Sequence, residues 1–456
     1  MTAALTSGRP APLIFRFALP LFIGNLFQQF YGMSDTVIVG RFINVHALAS
    51  VGGTMGIMFF IIGFIQAMTS GFSLVIARHV GARDADNARR AFCAGLFLCA
   101  GLSLALTIAG VLFSRDILLL LRTPPALLDD AHRFIRIVYA GSAATTLFNM
   151  LSNAILALGD SRPPLLFLSA ACLCNIILEL LFILGFGMGV EGAACATVLA
   201  QVFSSLLCVA YIVRKVPLLH PRREHWRIRA NTLSESARIG LPMGFQASII
   251  AIGAIIMQWA LNGLGETAVA AFSIARTIDL IAILPMASFG LAMGTYVGQN
   301  YGAGDIARIR LGVRHCAAMS LSFSVGIALA NILLGPWCIR LFTGAGHEEI
   351  LRPAYMFLMV NGSMYWVLSL LFIFRFSLQG LGKSLAPTLA GIMELLMRTL
   401  AAVVLTRSFG LFGASLANPL AWIGACIPLG IAYFRTVKKL EEEKTDMKNP
   451  LTFSQI

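Results

Sequence analysis

Residues 19–40 read LPLFIGNLFQQFYGMSDTVIVG, the body of an apolar run that extends from about Leu13 to Val39. A helix needs roughly 20 predominantly apolar residues to cross a bilayer, so this run is long enough to span one. It is not uniformly apolar. Asn25, Gln28, Gly32 and Asp35 are spaced by three, four and three positions, which places all four on one helical face. A charge at membrane depth costs a few kcal/mol or more unless it is paired or hydrated, so that face turns toward protein or water. Pro20 removes one helical hydrogen bond and marks a backbone weak point near the start of the run. The run is also too long for the roughly 7–15-residue apolar stretch of a cleavable signal, so a retained first span is expected.

The same texture recurs along the whole chain. Apolar segments of spanning length fall near 47–77, 90–113, 131–157, 163–186 and 192–213, then near 238–262, 268–297, 311–334, 353–379, 386–408 and 414–434. Of the 456 residues 58% are hydrophobic and only 12% charged, with a mean hydropathy of +0.82. Soluble domains carry roughly 25% charged residues, so lipid is the solvent this surface fits. The expected fold is an all-α integral membrane protein of about twelve transmembrane helices.

The stretch at 19–40 has a partner. Leu19-Pro20 recurs as Leu241-Pro242, and Gly81-Ala82-Arg83-Asp84 as Gly302-Ala303-Gly304-Asp305. Leu158-Gly159 and Pro164 recur as Leu381-Gly382 and Pro387, and Gly192-Ala193-Ala194 as Gly413-Ala414-Ser415. A near-constant displacement over about 200 residues implies two tandem six-helix lobes. Six is even, so both lobes enter from the same side, related by a pseudo-twofold along the membrane normal. The organisation read from this is an N-lobe at 1–215, a cytoplasmic linker at 216–234, a C-lobe at 235–440 and a charged tail at 441–456.

The formal net charge of +13 is distributed as a topology signal. With the N-terminus inside, the inner loops and tails collect about 24 of the 34 Lys and Arg and the outer loops about 8. Both termini are therefore expected in the cytoplasm, in a cell (inner or plasma) membrane. No basic domain with exposed aromatics suggests nucleic acid. There is no HExxH, metal-spaced His cluster, Walker A loop or GxSxG elbow, so no enzyme chemistry and no cofactor is expected. The nine cysteines lack paired spacing and read as small packing residues.

The intramembrane polar residues then carry the information. On the fifth span Asn175 and Glu179 are four apart and share a face, and on the sixth Thr197, Gln201 and Ser205 form a stripe. Gln66 on the second span, with Tyr139, Asn149 and Asn153 on the fourth, are candidates to line a substrate cavity with Asn25, Gln28 and Gln201. Gln246 on the seventh span could line a cavity or join helices. The second half treats its charges differently. Arg276 and Asp279 are three apart and Glu394 and Arg398 four apart, which reads as two structural ion pairs. Asp35 and Glu179 have no basic neighbour within a turn. An unpaired buried acid takes a proton or binds a cation, which puts ion coupling in the first half.

These motifs resemble the multidrug and toxic compound extrusion (MATE) family across nearly the full length, from Leu13 to about Phe434. The matching stretches are 19–40 as quoted, Asn175-Ile-Ile-Leu-Glu179, GVEGAACAT ending at Thr197, and the run ending in GTYVGQNYGAGD at Asp305. The resemblance implies export of organic, often cationic or amphipathic, compounds against inward H⁺ or Na⁺ by rocker-switch alternating access, in a protein that functions as a monomer. It places Asp35, Asn175, Glu179 and Thr197 at the family's N-lobe cation site, with H⁺ or bound Na⁺ as the only ion implied. Glu179 stands where the family's usual residue is Asp, and Phe134 where a Tyr is usual. Acids that some members carry on the seventh and tenth spans are replaced by Gln246 and Arg375, which resembles the DinF-like branch. The rival readings are a lipid-linked saccharide flippase of the same broader fold, which would need unpaired basic cavity residues, and a passive channel, which would show no counter-ion dependence.

Overall fold

A computed structural model describes residues 5–344 and 346–448. The described residues form helices joined by short turns, with no strand among them. In chain order the long helices are α1 (Pro10–Phe42), α2 (Val45–Gly81), α3 (Ala85–Leu120), α4 (Pro125–Ala140), α5 (Ser142–Ala157), α6 (Arg162–Leu180) and α7 (Gly189–Lys215). They continue as α8 (Ala230–Asn262), α9 (Glu266–Gly302), α10 (Ile306–Thr343), α11 (Glu348–Gly362), α12 (Tyr365–Gly380), α13 (Leu385–Leu400), α14 (Thr406–Ser415) and α15 (Ala417–Lys448). Ten spans are long and apolar enough to cross a membrane, and twelve if each bent pair, α4–α5 at 47° and α11–α12 at 48°, makes one. The expected all-α membrane fold is the observed one.

Among the described residues the chain divides into two compact units, one holding residues 19–248 and the other 5–18 with those from 249 to 448. The division falls inside α1 and α8 rather than in the linker. Its cause at the start of the chain is local bonding. Leu5 N–H donates to Gln299 at 2.8 Å, and Arg308 donates to the carbonyls of Leu5 and Gly8 at 3.2 and 2.8 Å. Pro20 lies inside α1, which remains helical through it.

Each unit repeats the other's internal plan. Val45–Gly81 and Glu266–Gly302 are displaced by 221 positions at both ends, and Ser142–Ala157 and Tyr365–Gly380 by 223. A five-residue π-helical turn follows α6 at Leu181–Gly185 and α13 at Ala401–Leu405. In the first unit α2 packs on α3 and α5, and α6 on α7; in the second α9 packs on α10 and α12, and α13 on α15. The conserved-looking turns have a mechanical reading. Arg83 and Gly304 both hold positive φ, at 58° and 70°, just past the ends of α2 and α9. The Asp that follows each caps the next helix: Asp84 accepts the Asn87 N–H and Asp305 the Arg308 N–H, both at 3.0 Å.

After α7 the chain turns back along α3. Pro217–Leu219 and Arg223–Trp226 form short 3₁₀ turns, and Leu219 is fully buried in the cluster that includes Phe92 and Ile212. His225 accepts the Arg222 N–H on Nδ1 at 2.8 Å, so its Nε2 carries the proton donated to Asp86 at 2.7 Å.

Candidate functional site

The first unit gathers Asp35 from α1, Asn175 and Glu179 from α6 and Thr197 from α7. Asn175 and Glu179 are one helical turn apart and fully buried. The Asn175 side-chain amide donates to Thr197 Oγ1 at 3.4 Å, which ties α6 to α7. The Asp35 and Glu179 carboxyls lie within electrostatic and hydrogen-bonding reach of each other. Neither Glu179 oxygen, nor Asp35 Oδ1, nor Asn175 Oδ1 makes a well-formed hydrogen bond, although each is sealed from solvent.

Tyr31 completes the group and was not singled out from the sequence. Its hydroxyl donates to Thr197 Oγ1 at 3.3 Å, and it lies within reach of both carboxyls. Tyr31 and Asp35 are four residues apart on α1, and that spacing was the available signal. Five side chains from three helices therefore gather here, two of them facing carboxyls, with four unsatisfied acceptor oxygens among them. No Lys, Arg or His among the described residues neutralises either acid. Two carboxylates held this close cannot both stay charged away from water, so the site demands a proton or a cation. The donor set is all oxygen, the chemistry a hard cation prefers.

The other candidates fall into two sets. Gln28 and Gly32 are exposed on α1, and a Cβ at Gly32 would meet nothing within 4 Å, so that side of the stripe faces open space. Gln201 lies one turn along α7 from Thr197 with a buried, unbonded Oε1. Asn25 is half-buried on α1, Gln66 is exposed on α2, and Gln246 is buried on α8. Asn149 folds back on its own helix, donating to the Thr145 carbonyl at 2.8 Å. Asn153 donates to Thr69 Oγ1 at 3.0 Å and joins α5 to α2. Tyr139 is closely packed: a Cβ on Gly110 would fall 1.9 Å from its ring, and the void it lines is only about 20 Å³. Phe134 is buried among Val39, Val51 and Val190.

The second unit corrects one expectation. Among the described residues neither Arg276 with Asp279 nor Glu394 with Arg398 closes as an ion pair. Glu394 on α13 instead pairs with Arg375 of α12, and Asp279 accepts the Tyr365 hydroxyl at 2.5 Å, which also accepts from Asn331 at 3.1 Å. Arg276 and Arg398 remain near these acids without contact. The reason is energetic. An i,i+4 pair gains only about 0.2–0.5 kcal/mol, whereas a buried carboxylate needs a directly bonded partner, and here one reaches it from a facing helix.

A duplicated all-helical membrane unit, with an unneutralised acid pair in one copy only, defines a membrane transporter rather than an enzyme. The MatE family profile matches residues 20–181 and again 242–404, beginning at Pro20 and at Pro242, and the chain belongs to this family. The chain is similar to the probable multidrug resistance protein YpnP of Bacillus subtilis (strain 168), at 29% identity over 74% of this chain and 75% of that one. It is also similar to the probable multidrug resistance protein NorM of Thermotoga maritima, at 24% identity over 94% of this chain and 90% of that one. Among solved structures, an outward-facing multidrug resistance MATE family transporter of the MOP superfamily shares the fold with a TM-score of 0.89, at 22% identity over 96% of this chain and 98% of that one.

Proposed function

We propose that this protein exports small organic compounds, cationic or amphipathic in character, across the cell membrane in exchange for inward H⁺ or Na⁺. The observation that carries the reading is the facing pair Asp35 and Glu179, buried with unsatisfied oxygens and no basic partner. The relatives' names, multidrug resistance and multidrug export proteins, support the substrate class. In this reading the two lobes open alternately to either side by a rocker-switch movement in the DinF-like manner, with both termini in the cytoplasm. One cation occupies the acid pair in one state, and the opposing state releases it as substrate exchanges. Asn175, Thr197 and Tyr31 orient the carboxyls, and Glu179 supplies a longer reach than the aspartate usual at its position.

The test is drug efflux in proteoliposomes under an imposed pH or Na⁺ gradient, at clamped pH with and without Na⁺. Asp35→Asn and Glu179→Gln should each lower gradient-driven efflux by about two orders of magnitude, the scale of losing a buried charge that acts only in the coupled step. Glu179→Asp keeps the charge and should retain more than half of the flux. Efflux unchanged in both neutral variants would sink the coupling assignment. Flux that ignores the counter-ion in the wild type would point to a channel instead.

A further inference from the structure

Apart from their buried acids, the two units differ at a place where their plans should coincide. In the first, the groove between the start of α3 and the end of α7 is filled by the chain itself. Arg89 and Arg90 donate to the carbonyls of Pro217 and Glu224, His225 bonds Asp86, and Leu218 and Leu219 pack against the α3 and α5 side chains below. The counterpart groove in the second unit lies between the start of α10, α12 and the end of α15. There α15 continues as a helix to Lys448 instead of turning back, and no described residue fills the groove. A cavity of about 800 Å³ remains.

Its walls have two chemistries. Leu311, Leu370, Phe374 and Phe434 make an apolar floor, and Leu311 and Phe434 are exposed. Arg310, Arg314 and Lys438 line the rim. Arg310 is engaged by Glu441 at 2.8 Å. Lys438 has only the distant Glu442 at 3.7 Å, on a largely exposed side chain, and Arg314 has no ion-pair partner among the described residues. Exposed pairs of that kind contribute little. The rim therefore offers two cations above a hydrocarbon-lined slot at the ends of membrane spans. That is the complement of an anionic phosphodiester carrying acyl chains. A soluble anion would leave the apolar floor wet, and a zwitterionic lipid would leave the cations uncompensated.

We propose that this groove binds one anionic phospholipid, its phosphodiester held by Arg314 and Lys438 and an acyl chain laid along Leu311, Phe374 and Phe434. The lipid occupies in the second unit the space that the linker occupies in the first. It braces α10 against α15 where no described residue supplies a peptide plug.

The test is native mass spectrometry of the full chain purified with defined mixtures of phosphatidylglycerol and phosphatidylcholine. One phosphatidylglycerol should be retained in preference, by about thirtyfold, given the roughly 1 kcal/mol that each of the two basic residues contributes at a lipid surface. Arg314→Gln with Lys438→Gln should bring that preference to within about twofold. Ala317→Trp, which fills the apolar floor while leaving the cations in place, should expel the lipid. Arg89→Gln, at the plugged groove, should change nothing. Inorganic phosphate at the same concentration should not displace the lipid. Equal retention of both lipids, displacement by phosphate alone, or preference that survives both groove variants would overturn the assignment.

Discussion

At the scale of single residues, chemistry was more legible than geometry. Asp35, Asn175 and Glu179 stand out in the sequence because charge and amide groups are rare in spanning helices, and Thr197 because it shares a polar stripe with Gln201 and Ser205. Tyr31 did not, because a tyrosine beside a glycine in an apolar run is equally at home at a membrane interface, and only the bond to Thr197 Oγ1 assigns it. Arg83 was visible as part of a repeated motif but not for what it does there. It holds φ at 58°, where its counterpart in the second unit is Gly304 at φ 70°. A left-handed conformation costs a non-glycine residue about 1 kcal/mol, so Arg83→Gly should stabilise the protein by about that amount. Thermal unfolding in detergent reads this out as a rise in Tm of a few degrees, and a fall would mean that the Arg83 side chain carries a compensating contact.

At the scale of elements, span number and approximate position followed from hydropathy, while the breaks within spans did not. The fourth and tenth spans bend by 47° and 48° at Gly141 and near Ser363-Met364, where no proline announces a kink. The π-helical turns after α6 and α13 are equally silent, since they arise from how the helices pack rather than from a residue type. The Asp of the repeated turn does more than mark the duplication. Asp84 accepts the Asn87 backbone N–H at 3.0 Å and its side-chain amide at 2.7 Å, and these bonds hold its carboxyl below the usual carboxylate range. A folded-state value below the unfolded one means that the contribution is complete above the unfolded carboxylate range, near pH 4, and is lost as pH falls through the lower folded value. Asp84→Ala should cost about 1 kcal/mol at neutral pH, the usual worth of such a cap. The gap in Tm between wild type and Asp84→Ala should be constant from about pH 7 to 5 and shrink below about pH 4. A gap independent of pH would show that the cap acts without its charge.

At the scale of the whole molecule, the duplication was readable and the allotment of helices to units was not. Leu19-Pro20 and Leu241-Pro242 mark equivalent places, yet only tertiary bonding, such as Arg308 to the Gly8 carbonyl, assigns residues 5–18 to the second unit. The two copies also spend their buried charge in opposite ways. Asp35 and Glu179 repel in the first, whereas Glu394 is bonded to Arg375 and Asp279 to Tyr365 in the second. A repelling pair costs stability for the sake of function, and a bonded pair costs stability only when it is broken. Neutralising one acid in each unit should therefore move stability in opposite directions. Asp35→Asn removes repulsion and should leave Tm unchanged or raised while abolishing coupled efflux. Glu394→Gln leaves the Arg375 guanidinium buried without its carboxylate and should destabilise by about 3–5 kcal/mol. Its counter-ion dependence should persist in whatever protein remains folded. Melting curves for both variants, set beside their efflux at equal amounts of folded protein, decide the matter. A destabilised Asp35→Asn with normal coupling, or a stable Glu394→Gln that loses it, would place the ion chemistry in the second unit and make the acid pair of the first a structural feature.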